Sequence, residues 1–202
     1  MPDALSTILE TKDAERLATG FGFTEGPLWH PDGFYYFVDI RKSNLHRITP
    51  GKDAELVRAN TGEGNGTTFD LEGRLVICEG GNRRVTRWTA DGKSDVLMDR
   101  WKGKRLNRPN DVVCKSDGSI YFTDPGLRVP FEQRELPHAA VYRVMPDGTK
   151  LGIIRTPEFA ANVAFGGPDL KTLFFTANTS VYTLRTKVPG QPHPWYRVRG
   201  KR

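Results

Sequence analysis

The stretch "PDGFYYFVDI", residues 31–40, places a turn dipeptide directly before a short strand pattern of aromatic and β-branched residues. Three later segments share this layout: "LEGRLVICEG" (71–80), "SDGSIYFTDP" (116–125) and "PDLKTLFFTA" (168–177). Their second residues, all acidic, are separated by 40, 45 and 52 positions. A repeat of this length with several strands is typical of β-propeller blades, whereas a β-sandwich has no reason to repeat one turn. The sequence predicts an all-β propeller with about four blades.

Each segment is followed by a second strand pattern: "NLHRIT" (44–49), "RRVTRWT" (83–89), "AAVYRVM" (139–145) and "SVYTLRT" (180–186). Each is also preceded by a run of small or apolar residues, which suits the innermost strand of a blade. We predict innermost strands near 25–29, 65–69, 110–114 and 162–166. Residues 1–190 are expected to form a single propeller domain, and residues 191–202 a basic C-terminal tail.

Seven residues before the turn acid, every repeat carries a side chain with a metal-capable oxygen: Glu25, Asn65, Asn110 and Asn162. Because inner strands surround the channel of a propeller, these positions should form a ring that faces the axis. Such oxygen ligands suit Ca²⁺, Mg²⁺ or Mn²⁺, and Zn²⁺ only where water completes the site. The alternative is that these residues satisfy turn backbone at the strand starts. The fourfold register favours the ring.

The charge of this 202-residue chain is unevenly distributed. Its formal net charge is +6, and six cations without an acid lie between Arg185 and Arg202, so the rest is neutral. A nucleic-acid partner is not favoured, because such binders carry the basic face on the fold itself. We expect a solvated tail instead. Cys78 and Cys114 lie in apolar runs without a zinc-like spacing, as expected of reduced, buried thiols.

Neither a secretory leader pattern nor a run of 18 apolar residues is found in the sequence. The chain is therefore expected to be soluble and cytoplasmic, without a membrane partner.

Four long motifs resemble the gluconolactonase and senescence marker protein (regucalcin) family, which is related to diisopropyl fluorophosphatase. They are "TEGPLWHPDG" (24–33), "GNGTTFDLEGRLVICEGGNRRVTR" (64–87), "RLNRPNDVVCKSDGSIYFTDP" (105–125) and "PEFAANVAFGGPDLKTLFFTANTSVYTLRTKVPG" (157–190). The resemblance implies a six-bladed propeller with one divalent metal in its channel, and a hydrolase of sugar lactones. By the same resemblance, Glu25 and Asn110 are metal ligands, and Arg108 and Asn110 contact the substrate. Calcium is the favoured ion, with Zn²⁺, Mn²⁺ or Mg²⁺ as alternatives.

The chain also departs from the family pattern. Two further ligands of the family, an Asn in a "PNG" motif and an Asp in a "PDG" motif that serves as general base, have no counterpart here. The sequence passes from "AAVYRVMPDG" directly to "TKLGIIRTPEF", so about two blades are missing between Met145 and Lys150. In addition, Gly80 stands where many relatives have His. No catalytic residue is assigned, and Asp111 is the first candidate for a replacement base.

Two hypotheses follow from these departures. The first is a gluconolactonase-like, metal-dependent lactonase whose activity is impaired because ligand-bearing blades are missing. The second is a non-catalytic or vestigial propeller that acts as a binding module. In either case an unclosed ring would leave an open blade edge, through which the chain could self-associate.

Overall fold

Strands dominate the computed structural model of the chain, which describes residues 9–199 apart from positions 12, 90, 102, 115–119, 127–128, 137–159, 178 and 188. These residues form three four-stranded antiparallel sheets and two two-stranded ones. The regular helices among them are a 3-10 turn at Phe131–Gln133 and α1 at Pro194–Arg199. None of the described helices has the length and hydropathy needed to cross a bilayer.

Each four-stranded sheet is one blade, and its strands follow one another from the channel outward. Blade 1 consists of β2 (Thr24–His30), β3 (Phe34–Asp39), β4 (Asn44–Ile48) and β5 (Glu55–Arg58). Blade 2 consists of β6 (Gly64–Phe69), β7 (Leu75–Glu79), β8 (Arg84–Trp88) and β9 (Ser94–Met98). A small hairpin of β10 (Arg100–Trp101) and β11 (Lys104–Arg105) leads to blade 3, described through β12 (Val112–Cys114) and β13 (Ile120–Phe122).

Blade 4 combines the two ends of the chain. Its inner strands are β14 (Ala160–Gly166), β15 (Thr172–Ala177) and β16 (Ser180–Arg185), and its outer strand is β1 (Glu15–Thr19). β1 pairs antiparallel with β16, and an isolated bridge between Leu9 and Thr186 extends the contact. The early strand thus completes a sheet built from late residues.

The innermost strands stand side by side. β14 packs against β2, β2 against β6, and β6 against β12, so the blades follow in the order 4, 1, 2 and 3. The four inner strands predicted from the sequence are confirmed. The described residues therefore form a β-propeller arrangement to which four blades contribute, the third of them through two strands. The second strand expected for the third repeat, 139–145, and the junction between Met145 and Lys150 lie outside the described residues.

Apolar residues fill the spaces between adjacent blades. Tyr35 of blade 1 stacks on Phe174 of blade 4, with ring centroids 4.2 Å apart and an interplanar angle of 11°. Val76 and Cys78 of blade 2 pack against Val112 of blade 3. Cys78 and Cys114 are buried free thiols, as predicted. Each blade thus buries its faces against its neighbours, which is the stabilising principle of a repeat fold.

The beginning of the basic tail is partly buried against the blades, whereas a solvated tail was expected. Trp195 and Tyr196 pack against the core between blades 1 and 2, and the Tyr196 hydroxyl donates a hydrogen bond to the Trp29 carbonyl. Gly73 makes room for the indole, since a Cβ there would lie 2.2 Å from Trp195. Burial of part of these two aromatic rings stabilises the docked segment. The division into residues 1–190 and 191–202 stays a prediction.

His193 should make the stability of this docked segment depend on pH. Its Nε2 lies 3.0 Å from the Thr68 hydroxyl, and burial lowers its pKa to about 4, an effect that Asp70 only partly offsets. The unfolded chain takes up a proton near pH 6.5, whereas the native state resists it. We expect the free energy of unfolding to fall by up to about 2 kcal/mol between pH 8 and pH 5 through this group.

Urea unfolding of the wild type and of His193→Gln at both pH values checks this expectation. The variant should lose this part of the pH dependence while it keeps most of its stability at pH 8. An identical pH dependence in both proteins would contradict the burial of His193.

Candidate functional site

The polar residues predicted to face the channel meet at one end of the inner strands. Glu25 and Asn65 are the second residues of β2 and β6, and Asn110 lies just before β12. Together with Arg108 they line a cavity of about 170 Å³. Asn162, in β14, reaches the same cluster because its Nδ2 donates to Glu25 Oε2 at 2.9 Å. The structure thus brings together all five residues singled out in the sequence.

Two buried aspartates accept hydrogen bonds from the backbone of the segments that precede Glu25 and Asn110. Asp39 accepts hydrogen bonds from the backbone N–H groups of Gly22 and Phe23 at 2.8 and 3.2 Å. Asp124 does the same for Asn107 and Arg108, at 2.8 and 2.5 Å. Asp39 is the last residue of β3, Asp124 lies two residues after β13, and both are almost fully buried. Their charge-assisted bonds fix the backbone two residues before Glu25 and Asn110.

The inner strands approach each other closely through glycines. The Gly66 N–H donates to the Asn110 carbonyl at 2.7 Å, and the Thr67 hydroxyl donates to the Gly26 carbonyl at 2.8 Å. A Cβ at Gly26 would lie 2.2 Å from the Asn65 carbonyl oxygen. Neighbouring blades therefore touch through backbone at the level of the cavity, and this brings the ring side chains within reach of one another.

Glu25 is a half-buried carboxylate without a cationic partner among the described residues. Burial raises its pKa, the hydrogen bonds from Asn162 and the Gly26 N–H act in the opposite direction, and the negative charge of Asp111 raises it further. Both hydrogen bonds end on Oε2. A buried negative charge of this kind is stabilised by a cation.

Glu63 is a cavity residue that the sequence analysis missed. It lines the cavity, and its Oε2 accepts a hydrogen bond from Arg108 Nη2 in a close ion pair. Glu63 precedes Asn65 by two residues, as Arg108 precedes Asn110, so the register of the repeats contained the signal. The backbone at Glu63 is left-handed, with φ +54°, a conformation that the sequence pattern does not predict for a glutamate. Gly80 also lines the cavity, beside the Arg108 side chain.

Asp111, the first candidate for a base, does not line this cavity. Its Oδ1 accepts the N–H of Val112 at 2.9 Å, and its own N–H donates to the Thr123 hydroxyl at 3.0 Å. The carboxylate lies over Gly66, where a Cβ would come within 2.4 Å of Oδ1. Asp111 is thus close enough to influence Glu25 electrostatically, and its role as a base stays a prediction.

Comparisons of the sequence with known proteins agree on one family. The profile of the SMP-30/Gluconolactonase/LRE-like region matches residues 23–150. The gluconolactonase of Zymomonas mobilis is 27% identical over 184 residues, which cover 82% of this chain and 51% of the relative. The chain thus spans about half the length of that relative. The pentonolactonase XacC of Haloferax volcanii is 25% identical over 234 residues, 75% of this chain and 80% of the relative.

A solved structure shares the fold over nearly the whole chain. The gluconolactonase XC5397 of Xanthomonas campestris superposes with a TM-score of 0.79 at 24% identity, covering 91% of this chain and 92% of the other.

The alignment with the pentonolactonase also indicates how much shorter this chain is than that relative. Its 234 positions contain only 75% of this chain, about 150 residues, so roughly 80 positions of the relative have no counterpart here. At about 40–50 residues a blade, this equals about two blades.

Gly66 should tolerate no side chain. A Cβ there would lie 2.5 Å from the Asp111 Cα and 2.8 Å from the Asn110 carbonyl oxygen, and backbone atoms cannot move aside alone. We expect Gly66→Ala to lower the free energy of unfolding by about 1–3 kcal/mol, as overpacking does. Urea unfolding measures the loss. Wild-type stability in the variant would show that blades 2 and 3 do not touch here.

Proposed function

This chain belongs to the SMP-30/gluconolactonase/LRE-like family, and from that membership we propose that it hydrolyses sugar lactones in the cavity at the start of the inner strands. The observation that carries the proposal is the convergence of Glu25, Arg108 and Asn110 on one small cavity. A carboxylate, a guanidinium and an amide supply an anionic ligand, a fixed positive charge and a neutral hydrogen-bonding group. These groups can hydrogen-bond the hydroxyls of a polyhydroxylated ester and polarise its carbonyl.

Glu25 and its neighbours fit a divalent cation. The carboxylate lies among amide side chains, lacks a cationic partner in the described part of the chain, and has a pKa raised by burial. One carboxylate and several amide oxygens suit a hard ion such as Ca²⁺, with Mg²⁺, Mn²⁺ and Zn²⁺ as alternatives. We assign Glu25 and Asn110 as ligands, and Asn65 and Asn162 as further members of the ring. When bound, such an ion would polarise the lactone carbonyl and acidify a nearby water.

Arg108 and Asn110 are proposed to hold the substrate. The Arg108 guanidinium is largely buried, and it can donate to a sugar hydroxyl or to the oxygen that gains negative charge. Asn110 can donate and accept in the same cavity. The Asp124 carboxylate fixes the backbone N–H groups of Asn107 and Arg108 and thereby limits the movement of this segment.

The activity is proposed to be impaired. Among the described residues, no group of three His, Cys, Asp or Glu side chains could hold a metal ion together. Glu63 is paired with Arg108, so Glu25 is the one carboxylate among the proposed ligands, which supports weak binding. The same observation favours the second candidate function, a propeller that binds a sugar lactone or a related ligand without efficient turnover.

Metal affinity tests the ligand assignment. We expect Ca²⁺ to bind with a dissociation constant on the order of 10⁻⁴–10⁻³ M, and Glu25→Gln to abolish binding because the neutral amide removes the anionic ligand. Titration calorimetry measures both. Glu72→Gln is the matched control, since Glu72 is an exposed acid paired with Arg74 outside this cavity. Micromolar affinity that survives Glu25→Gln would refute the assignment.

Turnover separates the two candidate functions. With added Ca²⁺, Mn²⁺ or Zn²⁺, we expect the protein to hydrolyse glucono-lactone far more slowly than a relative with six blades, and Glu25→Gln to lose this activity. Insertion of two blades between Met145 and Lys150 should increase the rate, again in a manner that depends on Glu25. Proton release at controlled pH, corrected for spontaneous hydrolysis, measures the rate.

Two results would contradict these expectations. Full activity of the unmodified chain would reject impairment and show that another group acts as base. A rate equal to the spontaneous one with every metal would leave the binding module as the function.

A further inference from the structure

The Glu63–Arg108 ion pair changes what the cavity can bind. Both side chains line the cavity, and each comes from the residue two positions before its ring asparagine. The Arg108 side chain is 19% exposed and that of Glu63 is 45% exposed. The positive charge thus lies deeper than its partner, and Glu63 stands on the solvent side of it.

In this arrangement the Glu63 carboxylate compensates the positive charge of Arg108 before any ligand binds. With Arg108 and Glu63 paired and no cation bound, Glu25 supplies the uncompensated charge among the residues that line the cavity, and that charge is negative. An anion that approaches Arg108 must displace Glu63 and also come close to Glu25. A neutral ligand avoids both repulsions. The lining therefore favours neutral polar ligands over anionic ones of the same size.

Hydrolysis of a lactone turns a neutral ligand into an anion, and the residues that line the cavity favour the neutral form. Water adds across the ester, so that its hydroxyl bonds to the acyl carbon, the acyl carbon–ring oxygen bond breaks, and the ring oxygen takes up a proton. The carboxylic acid formed loses a proton to water near neutral pH. A neutral substrate thus becomes an anionic sugar acid.

We propose that Glu63 is a specificity-determining residue that keeps Arg108 from retaining the sugar-acid product. Glu63 competes with the product carboxylate for the guanidinium, and this favours entry of the neutral lactone and release of the anion. The inference rests on the proposed function for its biological meaning, whereas the charge selectivity itself is a binding property. Glu63 occupies Arg108 Nη2, so a neutral ligand can accept a hydrogen bond from the other guanidinium N–H groups while the ion pair stays closed.

Equilibrium binding without metal tests this proposal. D-gluconate and D-sorbitol serve as probes, because they share a carbon chain and differ in the carboxylate. In Glu63→Gln, gluconate should bind on the order of tenfold more tightly than in the wild type, as freeing a charged donor allows, while sorbitol binding stays unchanged. Added salt should reduce the gain.

Two controls separate charge selectivity from other effects. Glu72→Gln removes an acid outside this cavity and should leave both probes unaffected. Adding Arg108→Gln to Glu63→Gln should cancel the gain for gluconate, because the released guanidinium is its cause.

Equal gluconate affinity in wild type and Glu63→Gln, or a parallel increase for sorbitol, would overturn the proposal. Turnover is measured separately. If the protein lacks lactonase activity but Glu63→Gln still binds gluconate more tightly, the proposed function is wrong and the charge selectivity of the cavity is still supported.

Discussion

The geometry of the site depends on one backbone hydrogen bond, from the Gly66 N–H to the Asn110 carbonyl at 2.7 Å. It joins blade 2 to blade 3 where the inner strands begin, with no side chain between the two backbones. A similar approach at Gly26 joins blade 1 to blade 2. Because main chains touch at this level, short side chains such as Asn65 and Asn110 reach a common cavity. The ring of polar side chains therefore depends on the close spacing of neighbouring blades.

Much of this arrangement could be predicted from sequence because it follows from register. The turn acids recur at nearly constant spacing, so the positions seven residues earlier occupy equivalent places in successive blades. The Glu63–Arg108 pair could not be predicted in the same way, since the register predicts neither the left-handed backbone at Glu63 nor the side-chain directions. The docking of Trp195 was missed for another reason: it depends on a groove at Gly73 formed by distant residues.

The charge balance of the cavity distinguishes two roles for acidic side chains in this protein. In Asp39 and Asp124 both carboxylate oxygens accept backbone N–H groups, and these two side chains serve the conformation of the chain. Glu25 receives only two donors, on a single oxygen, and keeps capacity for a further ligand. Whether hydrogen-bond donors occupy both carboxylate oxygens or only one separates the acids that shape the backbone from the acid that is available for chemistry.

Blade 4 takes its outer strand from residues 15–19 and its other strands from residues 160–185. Blades 1 and 2 each need only one contiguous stretch, so both can form while synthesis continues. The pairing of β1 with β16 must instead close a loop that contains nearly the whole chain, and contacts of such sequence separation form late. Until the ribosome releases the last strand, β1 is an unpaired edge, exposed to pairing with a neighbouring nascent chain.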